Sequence, residues 1–184
     1  LLTLYVLDEL SFDRFHAHAD RIYRLNTDIK FGGNDMRFAV SPDPAGPTLL
    51  RDFPQVENFV RLHQQGTWLV RRAGTTNNLR EANITFADST LFDVFTFPLV
   101  SGDPRRALTE PNTVVISESA ARRHFGGQNP VGQALLFNND KTFRVTGVMR
   151  DLPANSHFRT NFFLAMRSDD YAWGRWLSNN HHTY

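Results

Sequence analysis

Cysteine is missing from this 184-residue chain, which excludes a disulfide scaffold, a thiolate metal site and a cysteine nucleophile. Charge of one sign is missing too. Lys and Arg number 20 against 19 Asp and Glu, a formal net charge of +1, so there is no basic footprint for nucleic acid and no nucleic-acid partner is expected. The P-loop pattern G-x-x-x-x-G-K-[ST] does not occur, so Gly126-Gly127 is not a nucleotide cradle. No G-x-S-x-G surrounds Ser156-His157, which removes the nucleophile elbow of a serine hydrolase. No internal run is apolar enough over about 20 residues to cross a bilayer. Internal repeats and low-complexity tracts are also lacking.

What is present suffices for a folded body. The hydrophobic fraction is 41% and there are 16 Phe, enough for one ordinary domain or two small lobes. The first residues are the oddest part. Leu1, Leu2, Leu4, Tyr5, Val6 and Leu7 form an apolar run that breaks into charge at Asp8 and Glu9. A bilayer span needs about 20 apolar residues, and a signal peptide needs a basic flank and a small-residue cleavage site. Neither fits. The run reads as the last two turns of a membrane helix leaving the bilayer, with residues 1–19 as its end and junction.

Beyond Asp20 the period changes to two. Tyr23, Leu25, Ile29 and Phe31 alternate with polar residues, and Gly32-Gly33-Asn34-Asp35 turns the chain into a return strand with Met36, Phe38 and Val40, a half-buried hairpin. Asp43 and Pro44 start a helix carrying Leu49, Leu50 and Phe53, and Pro54 stops it. Residues 56–63 and 67–72 read as a strand pair about Gln64-Gln65-Gly66, and 80–86 as one alternating strand. A second texture begins near Asp88. Asp88 or Ser89 caps a short helix with Leu91, Phe92 and Phe95. Residues 113–116 form a strand leading into a helix capped by Ser117 and ended by Gly126. Residues 134–137 and 142–148 flank the loop Asn138-Asn139-Asp140, 160–166 form a last buried strand, and 168–184 have no clear period. The fold class is α+β in two lobes, the second inserted between strands of the first.

Candidate chemistry is thin. His16, His18 and Asp20 have spacing that suits a metal on an extended segment, but the polar flank of a helix at a membrane surface accounts for them, as a solvated tail does for His181-His182. Ser117 reads as a helix cap rather than a nucleophile. Asp8-Glu9 and Asp169-Asp170 read as solvated surface. Phe86, Phe92, Phe95, Phe97 and Phe125 suit either an apolar pocket or a core, and core is the simpler reading. Arg14, Arg21 and Arg24 beside Glu9, Asp13 and Asp20 suggest an ion-pair belt where the chain leaves the bilayer. No catalytic residue, cofactor site or metal site is expected.

The order of motifs carries a resemblance. YVLDELSFDRFHAHADRIYRL, SPDPAGPTLLRDFPQVENFVRL, FADSTLFDVFTFPLVSGDPRRAL, NTVVISESAARRHFGGQNPVGQAL and FRVTGVMRDLPANSHFRTNFFLAM succeed one another over nearly the whole chain. In this order they resemble the periplasmic core domain of MacB/FtsX-type ABC transporter permeases, especially the large permeases of Bacteroidetes. The resemblance implies a porter-like mixed α/β lobe from 20–86 with a return segment at 155–184. It also implies an inserted, smaller, sabre-like lobe at 87–154, with the lobes moving about connections near Phe86-Ala87 and Pro153-Asn155. It implies a non-catalytic domain in the periplasm of a bacterial inner-membrane protein. The expected partners are the protein's own transmembrane helices, a cytoplasmic ABC ATPase subunit that hydrolyses the ATP, and a second permease copy or half. A periplasmic partner or a peptide, drug or lipoprotein substrate would complete the set. Mechanotransmission would enter through a coupling junction of Glu9, Asp13, Arg14, Phe15 and Tyr23. The alternative is a periplasmic module that binds an apolar molecule or peptide.

Overall fold

The computed structural model describes residues 11–166 and 179–184. The amino-terminal run, Glu9 and most of the tail, including Asp169-Asp170, lie outside them. The chain is α+β, mostly sheet with few helices. The sequence passes through β1 (Thr27–Phe31), β2 (Asn34–Phe38), β3 (Ser41–Pro42), helix α1 (Ala45–Asp52), β4 (Arg61–Gln64), β5 (Trp68–Arg72), β6 (Leu79–Glu81) and β7 (Thr85–Ala87). It continues through helix α2 (Leu91–Val94), β8 (Leu99–Gly102), β9 (Thr113–Ser117), helix α3 (Glu118–Phe125), β10 (Ala134–Phe137), β11 (Lys141–Met149), β12 (Phe162–Ala165) and β13 (Asn179–Thr183).

One sheet of 11 strands runs β3-β13-β4-β7-β12-β9-β11-β10-β5-β6, with β8 also on β11. Its centre is apolar on both faces. In β9, Val114 and Ile116 enter one core while Val115 enters the other, and in β12 Phe162 and Leu164 oppose Phe163 and Ala165. Alternate side chains of a strand point to opposite faces, so a continuous apolar run means cover on both sides. Helix α3 packs Ala120 and Phe125 on the first face; α2, Phe95 and Phe97 just after it, and Leu108 in the loop after β8 cover the second.

Local expectations met by the structure include α3. Ser117 accepts a hydrogen bond from the Ala120 N–H at 3.1 Å, and Gly126 ends the helix at φ 60°. The loop 138–140 joins β10 to β11, with Asn138 and Asn139 at φ 50° and 58°.

Several expectations are corrected. The first hairpin begins at Thr27, and every residue of β2 is exposed. It pairs Ile29 with Met36 and Thr27 with Phe38 away from the main sheet; Thr27 and Ile29 of β1 are half-buried while the return strand is open to solvent. The stretch before it is diverted because the Leu25 N–H donates to the Thr183 carbonyl at 2.8 Å. Strands β4 and β5 do not pair: β4 lies between β13 and β7, and β5 between β10 and β6. Residues 80–86 are two strands, broken where Asn83 adopts φ 56°. Pro44, not Asp43, occupies the N-cap of α1, and Thr90 rather than Asp88 or Ser89 that of α2, with no side-chain cap bond at either.

Asp88 has other work. Its carboxylate accepts from Arg61 Nε and Nη2, both at 2.9 Å, and from the Arg61 N–H at 2.9 Å. Phe86-Ala87 lies within β7, which is buried and paired with β4 and β12 through those residues. The sheet is continuous across residue 87.

Candidate functional site: the amino-terminal strap

Residues 11–25 cross the second face of the sheet as a strap with one short 3₁₀ turn, Ala19–Arg21. The residues explain why no longer helix forms. Asp13 takes φ 55°, outside the helical region, and its polar groups are drawn elsewhere. Its N–H donates to the Asn155 carbonyl at 3.0 Å. Its carboxylate accepts the His157 N–H at 3.1 Å and faces His157 Nδ1 at 2.6 Å. Asn155 Nδ2 donates to the Ser11 carbonyl at 3.0 Å. The entry of the chain is thus bonded to residues 155–157, a pairing of segments 144 positions apart.

A second attachment lies one turn on. His16 is 4% exposed. Its ring centroid lies 4.2 Å from Phe15, 4.9 Å from Phe95, 5.3 Å from Phe97 and 6.3 Å from Phe158. Nδ1 accepts the Thr96 N–H at 3.1 Å, and the Ala17 N–H donates to Thr96 Oγ1 at 2.8 Å. An acceptor Nδ1 puts the proton of the neutral ring on Nε2, which is buried with no hydrogen-bond partner. Burial pushes the His16 pKa down, with the Asp13 carboxylate pulling the other way. Further along, Arg21 pairs with Glu57 at 2.5 Å, and Leu25 meets Thr183. Burial raises the Tyr184 phenol above its ordinary range, against the lowering influence of Arg24.

Two hollows flank the strap. One, of about 760 Å³, is lined among others by Phe12, Arg14, His16, Phe158 and Tyr184; the other, of about 700 Å³, by Arg21, Tyr23, Leu49, Phe59 and Val94. Ile22, Arg24 and Tyr184 border both. The strap is therefore held at a few bonded points rather than by continuous packing.

Of the expected junction residues, Glu9 lies outside the described residues. Asp13 is bonded to the return segment, and Phe15 is half-buried against the second core. Arg14 is exposed on the rim of the larger hollow. Tyr23 is 77% exposed beside the other hollow, its hydroxyl 3.5 Å from the Asp20 carbonyl. The structure brings Asp13 and Phe15 onto the body and leaves Arg14 and Tyr23 at its surface. Among the described residues, two members of the expected ion-pair belt find partners outside it: Asp13 engages His157 and Arg21 engages Glu57.

His16, Thr96, Asn155 and His157 carry the attachment; the sequence singled out His16 and His157 only as candidates for other chemistry and did not point to Thr96. Only the pairing of distant segments assigns them a role, although Phe15-His16 within an apolar pattern was a signal of burial. His16 turns inward while His18 and Asp20 are exposed, and no group of three metal-ligating side chains occurs among the described residues. Ser156 is buried and its Oγ accepts the Phe158 N–H, while Ser117 caps its helix. The five phenylalanines named above divide: Phe86 and Phe125 lie in the first core, Phe95 and Phe97 in the second with Phe92 against it. They do not line one pocket.

Comparison with known proteins places this architecture. A domain of a protein designated a permease, from Porphyromonas gingivalis, superposes with a TM-score of 0.78 at 23% identity, covering 92% of this chain and 74% of that one. The periplasmic region of MacB from Actinobacillus actinomycetemcomitans gives 0.55 at 18% identity, covering 78% and 63%. The extracellular domain of the noncanonic ABC-type transporter YknZ from Gram-positive bacteria gives 0.53 at 16% identity, covering 74% and 67%. No match was found among curated proteins. No helix among the described residues is long and apolar enough to cross a membrane. The family model of the MacB-like periplasmic core domain matches residues 1–180, so the chain belongs to that family, the periplasmic domains of MacB-type ABC transporter permeases.

Proposed function

We propose that this domain couples ATP-driven motion of transmembrane helices to work in the periplasm, by mechanotransmission. The observation that carries the reading is the bonding of Ser11 and Asp13 to Asn155 and His157. A displacement of the chain entering the domain is passed directly to the segment that returns toward the next membrane helix. The His16–Thr96 attachment passes the same displacement to the loop after α2. Residues 87–154 act as an inserted lobe on a body made by 20–86 and 155–184. Because one sheet joins them, their relative motion is a flexing of that sheet and not a swing about Phe86-Ala87. The ATPase is a separate cytoplasmic subunit, the permease acts as a pair in the inner membrane, and the cargo is a peptide, drug or lipoprotein.

The two hollows beside the strap favour a second reading, a module that holds an apolar molecule or peptide. One experiment separates the two. The full-length permease with its ATPase is reconstituted in nanodiscs, and Asp13→Ala is compared with wild type for ATP hydrolysis and for release of cargo. Coupling predicts that hydrolysis persists while release falls at least tenfold. Unchanged release per ATP refutes the junction, and loss of cargo binding by the domain itself supports the module.

A further inference from the structure

We infer that His16 is an acid-sensitive latch: the strap is held to the domain through a neutral imidazole whose protonation releases it. The geometry admits only one charge state. Nδ1 accepts the Thr96 N–H at 3.1 Å, and an imidazolium, with donors on both nitrogens, has no acceptor to offer there. Protonation sets two N–H groups against each other and places a charge among Phe15, Phe95, Phe97 and Phe158. The companion bond from the Ala17 N–H to Thr96 Oγ1 holds the same two segments together and is lost with the first. The hollows on either side give the strap room to leave without disturbing the sheet.

The charged and titratable groups around the site do not reverse this. Asp13 on the strap attracts a proton toward His16, but its two carboxylate oxygens are engaged by His157. His157 thus stands between Asp13 and solvent. Arg14 and Arg24 line the same hollow and disfavour a further positive charge, Asp20 sits on its exposed rim, and Tyr184 closes it. The loop with Phe95 and Phe97 contributes no ionisable side chain, and Asp93 borders the other hollow.

The direction with pH follows. The open strap binds a proton at the ordinary histidine value of about 6.5, and the closed strap binds it more weakly because of burial. The latch is therefore complete above about 6.5 and is lost as pH falls toward the lowered value. The slope is at most about tenfold in the opening equilibrium per pH unit. The latch is a property of the chain, and only its consequence for transport rests on the coupling reading, so the test below is independent of transport.

The test uses the ¹⁵N-labelled chain between about pH 7.5 and about pH 5. Amide-exchange protection factors are followed together with the imidazole nitrogens of His16. Protection at Ala17 and Thr96 should fall by up to about tenfold per unit below about 6.5, while the amides of β9 and β12 hold. His16→Asn, whose Oδ1 can take the Thr96 N–H without titrating, should abolish the dependence, and His157→Asn should leave it. Flat protection in wild type overturns the inference, as does a dependence that survives in H16N or vanishes in H157N. Should H16N fail to hold the strap at any pH, the wild-type ring nitrogens decide. A His16 titrating at or above about 6.5 refutes the latch.

Discussion

Removing the Asp88 carboxylate should be among the most damaging single changes in this domain. Asp88 and Arg61 are only 13% and 14% exposed at their side chains. Three N–H groups of Arg61 converge on that carboxylate, two from the guanidinium and one from the backbone, and Nη1 also reaches the Asp43 carbonyl at 3.2 Å. Asp88→Ala leaves the guanidinium largely buried, with its Asp43 and Phe59 contacts but without the carboxylate that took two of its N–H groups. A buried donor without an acceptor costs about 1–3 kcal/mol, and breaking a buried pair from one side costs about 3–5 kcal/mol. Residual water access at this site argues for the lower end, about 3 kcal/mol. Domains of this kind are stable by only about 5–15 kcal/mol, so the loss is a large share of the total.

The double variant Arg61→Leu/Asp88→Ala removes the stranded charge and should lie within about 1–2 kcal/mol of wild type, as buried pairs replaced by apolar groups commonly do. Urea unfolding of the four proteins in a double-mutant cycle measures both quantities. If Asp88→Ala costs less than about 1 kcal/mol, or the two single losses simply add, the pair is not the buried clamp described here.

Glu81 supplies a pH dependence. Burial alone would raise its carboxyl, but hydrogen bonds from His124 and Arg123 at 3.0 and 2.7 Å outweigh it and hold the pKa below the ordinary glutamate value. The folded state therefore gains stability from Glu81 above about pH 4.3 and loses it as pH falls toward the lowered value. Urea midpoints against pH should show a steeper acid loss in wild type than in Glu81→Gln, and equal slopes would refute the assignment. Gly102 lies at φ 98° where β8 crosses β11, and an added Cβ meets the Thr146 carbonyl. Gly102→Ala should destabilise by about 2 kcal/mol or more in the same assay, and a change below about 0.5 kcal/mol would show that the crossing has room.

What was legible in the sequence followed from local chemistry. Ser117, three residues before Ala120, is a cap wherever that strand-to-helix turn forms, and Asn138-Asn139 tolerates positive φ in any hairpin. The run 113–116 reads as buried because every residue in it is apolar or β-branched. Pairing was less legible. Strands β4 and β5 are adjacent and each is well patterned, yet each finds its neighbours elsewhere, because a short loop permits a hairpin without requiring one. Met36 and Phe38 alternate as a core strand should, but their face meets solvent. Alternation reports which residues share a side, not what covers it.

The strap divides the same way. The sequence by itself determined the membership in the MacB-like family, through motifs spread along the chain, and the presence of an apolar entry followed by a charged junction. It also determined most of the short elements, whose caps and turns act over a few residues. Only the tertiary structure decided what the junction touches. Asp13 meets His157, His16 meets Thr96 and Leu25 meets Thr183, contacts between segments at least 80 positions apart. Such contacts depend on the assembled sheet, since it is the sheet that brings residues 11–25, 155–157 and 183 and the loop after α2 to one face.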